Sequence, residues 1–98
     1  MQKKKVLQTG ITDIQKIEEI LKKEGYHSIF QWSDSPNTYY DWHTHPYQEV
    51  RWIISGSITI GTEDGEFNLK PGDVIFVSPG EKHWAKTDEG VTYICASK

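Results

Sequence analysis

The sequence predicts a single all-β domain: a sandwich or barrel of short antiparallel strands, with one helix packed outside it. Three observations carry this expectation. Ile, Val and Thr together number 24 of the 98 residues, whereas Leu, Ala and Met together number 6. Branching at Cβ stiffens χ1 and suits a pleated sheet; the unbranched residues suit helices. Twelve aromatic residues reinforce the sheet bias. After residue 25, Gly, Pro, Asn and Asp recur between short apolar runs, which is the punctuation of strands and turns. A chain of this length buries roughly 60% of the surface its unfolded form exposes, so one modest core is all it can build.

Residues 1–25 read as an N-terminal extension, and 26–97 as the barrel. The extension holds the one good helix, from about Thr12 to Glu24. Thr12 followed by Gln15 has capping-box spacing. Ile14, Ile17, Ile20 and Leu21 recur at helical intervals and make one apolar stripe for the core. Gly25 is placed to stop the helix. Strands are expected over Tyr26–Ser33, Thr38–His45 and, once or twice, within Glu49–Ile60. Ser35-Pro36-Asn37 turns between the first two. Thr62–Gly65 turns again before Glu66–Lys70. Pro71-Gly72-Asp73 leads into Val74–Val77, and Ser78-Pro79-Gly80 leads to a strand from His83. A last strand runs over Val91–Ala96.

Several function classes are disfavoured. Net charge is -3 and the sequence pI about 5.7, without the basic footprint of a nucleic-acid binder. Lys3, Lys4 and Lys5 form the one basic run and read as a solvated terminus. Cys95 is the only cysteine, so no internal disulfide forms; a reducing cytoplasm fits. No stretch approaches the roughly 20 apolar residues of a membrane span, and the N-terminus lacks the apolar segment of a signal peptide.

The informative stretch is Trp42-His43-Thr44-His45-Pro46-Tyr47-Gln48-Glu49. Residues two apart on a strand share a face, so His43 and His45 aim their rings together. Pro46 biases His45 toward extended backbone and cannot donate to a ladder, so the strand ends or bends there. Glu49 can re-enter the same face from the next strand. Two imidazoles and a carboxylate suit a divalent Fe, Mn, Ni, Cu or Zn. Taken singly, each His equally fits a surface or hydrogen-bonded role, and His-x-His pairs are common by chance. His27 lies outside any such spacing and is read as non-functional.

The chain resembles a small single-domain cupin. The first cupin motif is HxH, three or four residues, Glu, six residues, Gly; His43, His45, Glu49 and Gly56 stand at those spacings. The second runs from a Pro-Gly-Asp turn through an apolar strand to P-x-G-x-x-H. Here Pro71-Gly72-Asp73 leads through Val74-Ile75-Phe76-Val77 to Ser78-Pro79-Gly80-Glu81-Lys82-His83. Asn37 stands where the first motif usually opens with Gly, Ser78 where the second often has Pro, and Thr87 where an Asn often follows. None of these three is a usual metal ligand. The resemblance implies a cupin jelly-roll β-barrel of two antiparallel sheets. It also implies a divalent transition metal held by His43, His45, Glu49 and His83, and a homodimer. No residue is assigned to an organic cofactor.

Strand parity adds further candidates. Counted back from His43, Tyr39 and Asp41 share its face, while Tyr40, Trp42 and Thr44 face away. After Glu49, Arg51 and Ile53 share its face. Arg51 is the only arginine. It could hold a substrate carboxylate or phosphate, but the plainer expectation is that a bulge turns it outward, or that it pairs with Glu49 or Asp41. Tyr39, Asp41 and Arg51 are therefore the candidate catalytic residues. Trp42, Trp52 and Trp84 are read as packing residues, Tyr47 as lining the mouth, and Cys95 as a small buried hydrophobe. Two functions compete. One is a metal-dependent enzyme of oxygenase or isomerase type acting on a small oxygen-rich molecule. The other is a non-catalytic module that binds or senses a small ligand. Tyr39, Asp41 and Arg51 lining the cavity would favour the enzyme.

Overall fold

The computed structural model of the chain describes residues 5–98. Lys3 and Lys4 lie outside the described residues. Lys5 is not a solvated end: its ammonium pairs with Glu81. That contact holds the Glu81 carboxyl below the usual range, against the upward push of its partial burial.

The first strand, β1 (Val6–Gln8), was not expected; three residues are too few to show a period. Helix α1 (Ile14–Lys23) follows. Its cap is Asp13, one residue later than the Thr12 box predicts, and Asp13 accepts a hydrogen bond from the Lys16 amide at 3.2 Å. Thr and Asp are both good caps, so adjacent candidates cannot be ranked by spacing. The helix ends as Gly25 predicts. With φ of +89°, Gly25 donates to Lys22 O and Tyr26 to Leu21 O, the paired bonds of a Schellman stop.

Eight more strands follow: β2 (His27–Asp34), β3 (Thr38–His43), β4 (Glu49–Gly56), β5 (Ile58–Thr62), β6 (Gly65–Leu69), β7 (Asp73–Val77), β8 (His83–Thr87) and β9 (Val91–Ser97). They form two antiparallel sheets, ordered β1-β7-β4-β9-β2 and β3-β8-β5-β6, packed as a jelly-roll barrel. Between the sheets lie Ile53, Ile58, Ile60, Leu69, Ile75, Ala85, Val91 and Tyr93.

The middle of the five-stranded sheet, β7, β4 and β9, is buried on both faces. Its outer face carries Val50, Trp52, Val74, Ile94 and Ala96, covered by Ile17 and Leu21 of α1 and by Tyr26. This is why β4 reads as a nearly continuous buried run rather than an alternation. Burial of Ile17 and Leu21 stabilises the docked helix by about 1.5–3 kcal/mol each. Trp52 Nε1 donates to Ile11 O at 2.8 Å and pins the segment before the helix. Gly56 ends β4 with φ of +74°, and a Cβ there would lie 2.1 Å from Gly90 O; only glycine fits. No helix is long and apolar enough to cross a membrane among the described residues.

Candidate metal centre

The two motifs meet at one end of the barrel. His43 is the last residue of β3 and stands opposite His83, the first of β8. His45 follows in the loop, two residues sooner outside the strand than expected, because β3 stops at His43. Gly80 N donates to His45 O at 2.7 Å, which ties the loop before β4 to the turn before β8. Gly80 has φ of +74°, the left-handed backbone that turn requires. Gln48 and Lys98 exchange a pair of backbone hydrogen bonds and anchor the other side of the loop.

The three imidazoles converge. Ring centroids lie 4.1 Å apart for His43 and His83, 5.0 Å for His43 and His45, and 5.2 Å for His45 and His83. One ligand nitrogen from each falls within 4.8 Å of the other two. Nδ1 of His43 lies 2.6 Å from Asp41 O, and Nδ1 of His83 lies 3.0 Å from Glu81 O. A carbonyl only accepts, so Nδ1 carries the proton on both rings and Nε2 keeps its lone pair. Nε2 of His83 and of His45 are buried and have no hydrogen-bond partner. Leaving a buried polar atom unpaired costs about 1–3 kcal/mol. Burial first, against the hydrogen bond to Glu81 O and with the nearby Arg51 guanidinium and imidazoles adding to it, holds the His83 pKa below its usual value. Three converging ring nitrogens, two of them buried without a hydrogen-bond partner, fit a divalent metal ion, which would relieve both orphaned atoms.

Glu49 opens β4 beside this trio, with Oε2 3.6 Å from His45 Nε2. Its other oxygen accepts from Arg51 Nε at 2.8 Å. Arg51 is not turned outward. No register shift falls between Glu49 and Ile53, so Glu49, Arg51 and Ile53 keep one face, and the bulge lies beyond Ile53. The expected pairing with Glu49 is present. Burial works against the charged guanidinium, but the adjacent Glu49 carboxylate outweighs it and the Arg51 pKa is raised.

Parity fails on β3. The register shifts between Tyr40 and His43, leaving three steps on β3 against two on β8. Tyr40 therefore faces inward, opposite Ala85, and packs on the core; the expectation that it faces away is corrected. Tyr39 does not share the His43 face as expected: it stands opposite exposed Lys86 on the outer face, its ring 6.3 Å from Trp84, and meets the cavity only at its rim. Asp41 sits in the bulge and accepts from Trp42 N at 2.8 Å and from Tyr39 OH at 3.1 Å. Trp52 and Trp84 pack as read, Trp84 across Gly61. Trp42 is not buried within the chain: it is exposed and lines a second opening with Thr44, Glu63 and Lys82. Tyr47 stacks on the His45 ring at 5.2 Å.

A cavity of about 570 Å³ opens onto the site, within the range of small-ligand pockets. Tyr39, Asp41, His43, His45, Glu49 and Arg51 line it. So do Phe30, Trp32, Tyr40, Tyr93 and Cys95. Of these, only Tyr40, as facing away, and Cys95, as a buried hydrophobe, were singled out from the sequence; Cys95 is free and buried, and burial pushes its thiol up to about 11. The Phe30–Trp32 alternation was a usable signal, but the strand register that aims it inward was not.

Comparison with known proteins places this geometry. The Cupin_2 cupin-domain family matches residues 30–96. A segment of 44 residues is 43% identical to an (R)-mandelonitrile lyase from Granulicella tundricola, covering 44% of this chain and 34% of that one. The chain thus spans about a third of the length of this curated relative. Among solved structures, a cupin superfamily protein from Desulfitobacterium hafniense aligns with TM-score 0.66 at 17% identity, over 70% of this chain and 63% of that one. DMSP lyase DddQ from Ruegeria pomeroyi aligns with TM-score 0.67 at 25% identity, over 71% of this chain and 36% of that one. Family match, topology and histidine placement agree: the chain is a member of the Cupin_2 cupin-domain family.

Proposed function

We propose that the chain is a metal-dependent enzyme acting on a small oxygen-bearing molecule, with one divalent transition metal held by His43, His45, His83 and Glu49. The carrying observation is the convergence of three imidazole nitrogens, two of them buried without partners. Four protein ligands leave positions open on an ion that accepts six, and such an ion polarises an oxygen group placed there. The residues around it supply the rest. Arg51 offers positive charge to an anionic group. Asp41 is a carboxylate at the rim that pairs with no cation among the described residues, and it can take a proton from a bound molecule. The aromatic walls exclude water. Tyr39, Asp41 and Arg51 all lining the cavity favours an enzyme over a binding module. The mandelonitrile lyase and the DMSP lyase that the chain resembles both carry lyase names, which favours bond cleavage without oxygen over the oxygenase or isomerase chemistry expected from the resemblance.

Cobalt substitution tests the open site. The Co²⁺-loaded protein should show visible ligand-field bands that azide shifts. Failure to bind Co²⁺, or bands indifferent to azide and cyanide, would remove the reading. We also propose a homodimer, since Leu7, Ile14 and Trp42 leave apolar surface exposed. A clean monomer in sedimentation would overturn that.

A further inference from the structure

The cavity wall is more specific than the metal site requires. Residues directly opposite in antiparallel strands share a face. Across β4, β9 and β2 the register aligns Arg51, Cys95 and Phe30 in one row, and Ile53, Tyr93 and Trp32 in the next. Ile53 and Tyr93 belong to the barrel core, so Phe30 and Trp32 face the interior as well. Yet Phe30 is 49% and Trp32 48% exposed. Strand β2 is the edge of its sheet, so these rings overhang the open cavity. Trp32 is also held in place: its Nε1 donates to Asp34 Oδ1 at 2.9 Å, and Tyr40 OH donates to the same oxygen. An aromatic wall fixed before any ligand arrives costs little to order on binding.

Arg51 stands at the inner end of the first row and is 8% exposed. Its Nε donates to Glu49 at 2.8 Å, and the guanidinium also hydrogen-bonds the Cys95 thiol beside it. Among the described residues, no carboxylate other than Glu49 pairs with it, and the group lies 5.4 Å from the Tyr93 ring centre. Tyr93 and Cys95 beside it are kept neutral by burial. The free edge of a guanidinium is a fork matched to a carboxylate. Glu49 links this fork to the imidazoles, one oxygen toward each.

We propose that the cavity binds a small aryl carboxylate, its carboxylate on the terminal nitrogens of Arg51 and its ring against Phe30, Trp32 and Tyr93. The assignment deepens the enzyme reading and rests on it for what happens beside the carboxylate; the subsite itself needs only Arg51 and the wall.

The test uses the full chain, once stripped with EDTA and once loaded with Zn²⁺. Phenylacetate, phenylacetamide and acetate are the probes, read by calorimetry and by quenching of tryptophan fluorescence, since Trp32 is in the wall. Phenylacetate should bind about tenfold or more tighter than the amide, as one charge-assisted pair provides. It should also exceed acetate. R51Q should erase the acid–amide ratio, and W32L should weaken both aryl probes while keeping that ratio. Equal binding of acid and amide, or a ratio surviving R51Q, overturns the Arg51 subsite. Acetate matching phenylacetate overturns the aryl wall. Should R51Q not fold, the wild-type ratio and W32L still decide. A chain that takes no metal but keeps the ratio retains the subsite and loses the metal reading, so the two failures are distinguishable.

Discussion

Replacing His83 with Leu should have opposite consequences with and without metal. The imidazole is fully buried; Nδ1 donates to Glu81 O, and Nε2 has no partner. In the stripped protein, H83L loses one hydrogen bond, about 1 kcal/mol net, and leaves Glu81 O unpaired. It also removes an orphaned buried nitrogen, a gain of about 1–3 kcal/mol. These offset, so the metal-free variant should lie within about 2 kcal/mol of wild type. Metal changes the comparison. At a free concentration of about 1,000 Kd, a bound ion stabilises the wild type by about 4.1 kcal/mol. For a domain of this size that is a Tm rise of about 16–33 °C. The variant, lacking a ligand, should gain little at the same concentration. Circular dichroism melts of both proteins, with EDTA and with Zn²⁺, give all four values. If H83L loses more than about 3 kcal/mol without metal, and metal raises neither protein, His83 is a packing residue and the reasoning fails.

Three other outcomes are expected. The folded His83 pKa lies below its ordinary 6.5, so the unfolded chain binds more protons below that pH. Metal-free stability should therefore be flat in this respect above pH 6.5 and fall as pH drops through the depressed folded value; denaturant melts showing stability rising on acidification there would contradict it. Glu49→Ala strands the buried Arg51 charge and should cost about 3–5 kcal/mol in urea unfolding. The E49L/R51M pair should recover most of that loss, and a double variant as unstable as the single would show that the ion pair is not the cause. Gly56→Ala forces a φ of +74° on a residue with a Cβ that meets Gly90 O. A loss of at least about 1–3 kcal/mol is expected, and an unchanged melt would refute the strain.

Much of the fold was legible because local chemistry and architecture agree. Pro71-Gly72-Asp73 and Ser78-Pro79-Gly80 punctuate strands that appear within a residue or two of expectation. His43 and His45 were legible as a pair from their spacing, whereas His83 joined them only through the resemblance of the second motif; the structure brings it opposite His43. What escaped depends on information that spacing does not hold. The β3 bulge adds one residue between Tyr40 and His43 and reverses every face assignment upstream of it. Phe30 and Trp32 become cavity residues through a register with Cys95 and Tyr93, more than 60 positions away. Asp13 displaced Thr12 as helix cap because two adjacent residues offer the same hydrogen bond.

The central claim is that His43, His45 and His83, with Glu49, hold a metal ion. Elemental analysis of the purified full chain, beside a His43→Ala/His45→Ala variant, tests it most directly. The account predicts close to one transition-metal ion per wild-type chain and almost none in the variant, with unchanged far-ultraviolet circular dichroism in both. A wild-type chain that is folded, metal-free and unable to take up Fe²⁺, Mn²⁺, Ni²⁺, Cu²⁺ or Zn²⁺ would contradict it.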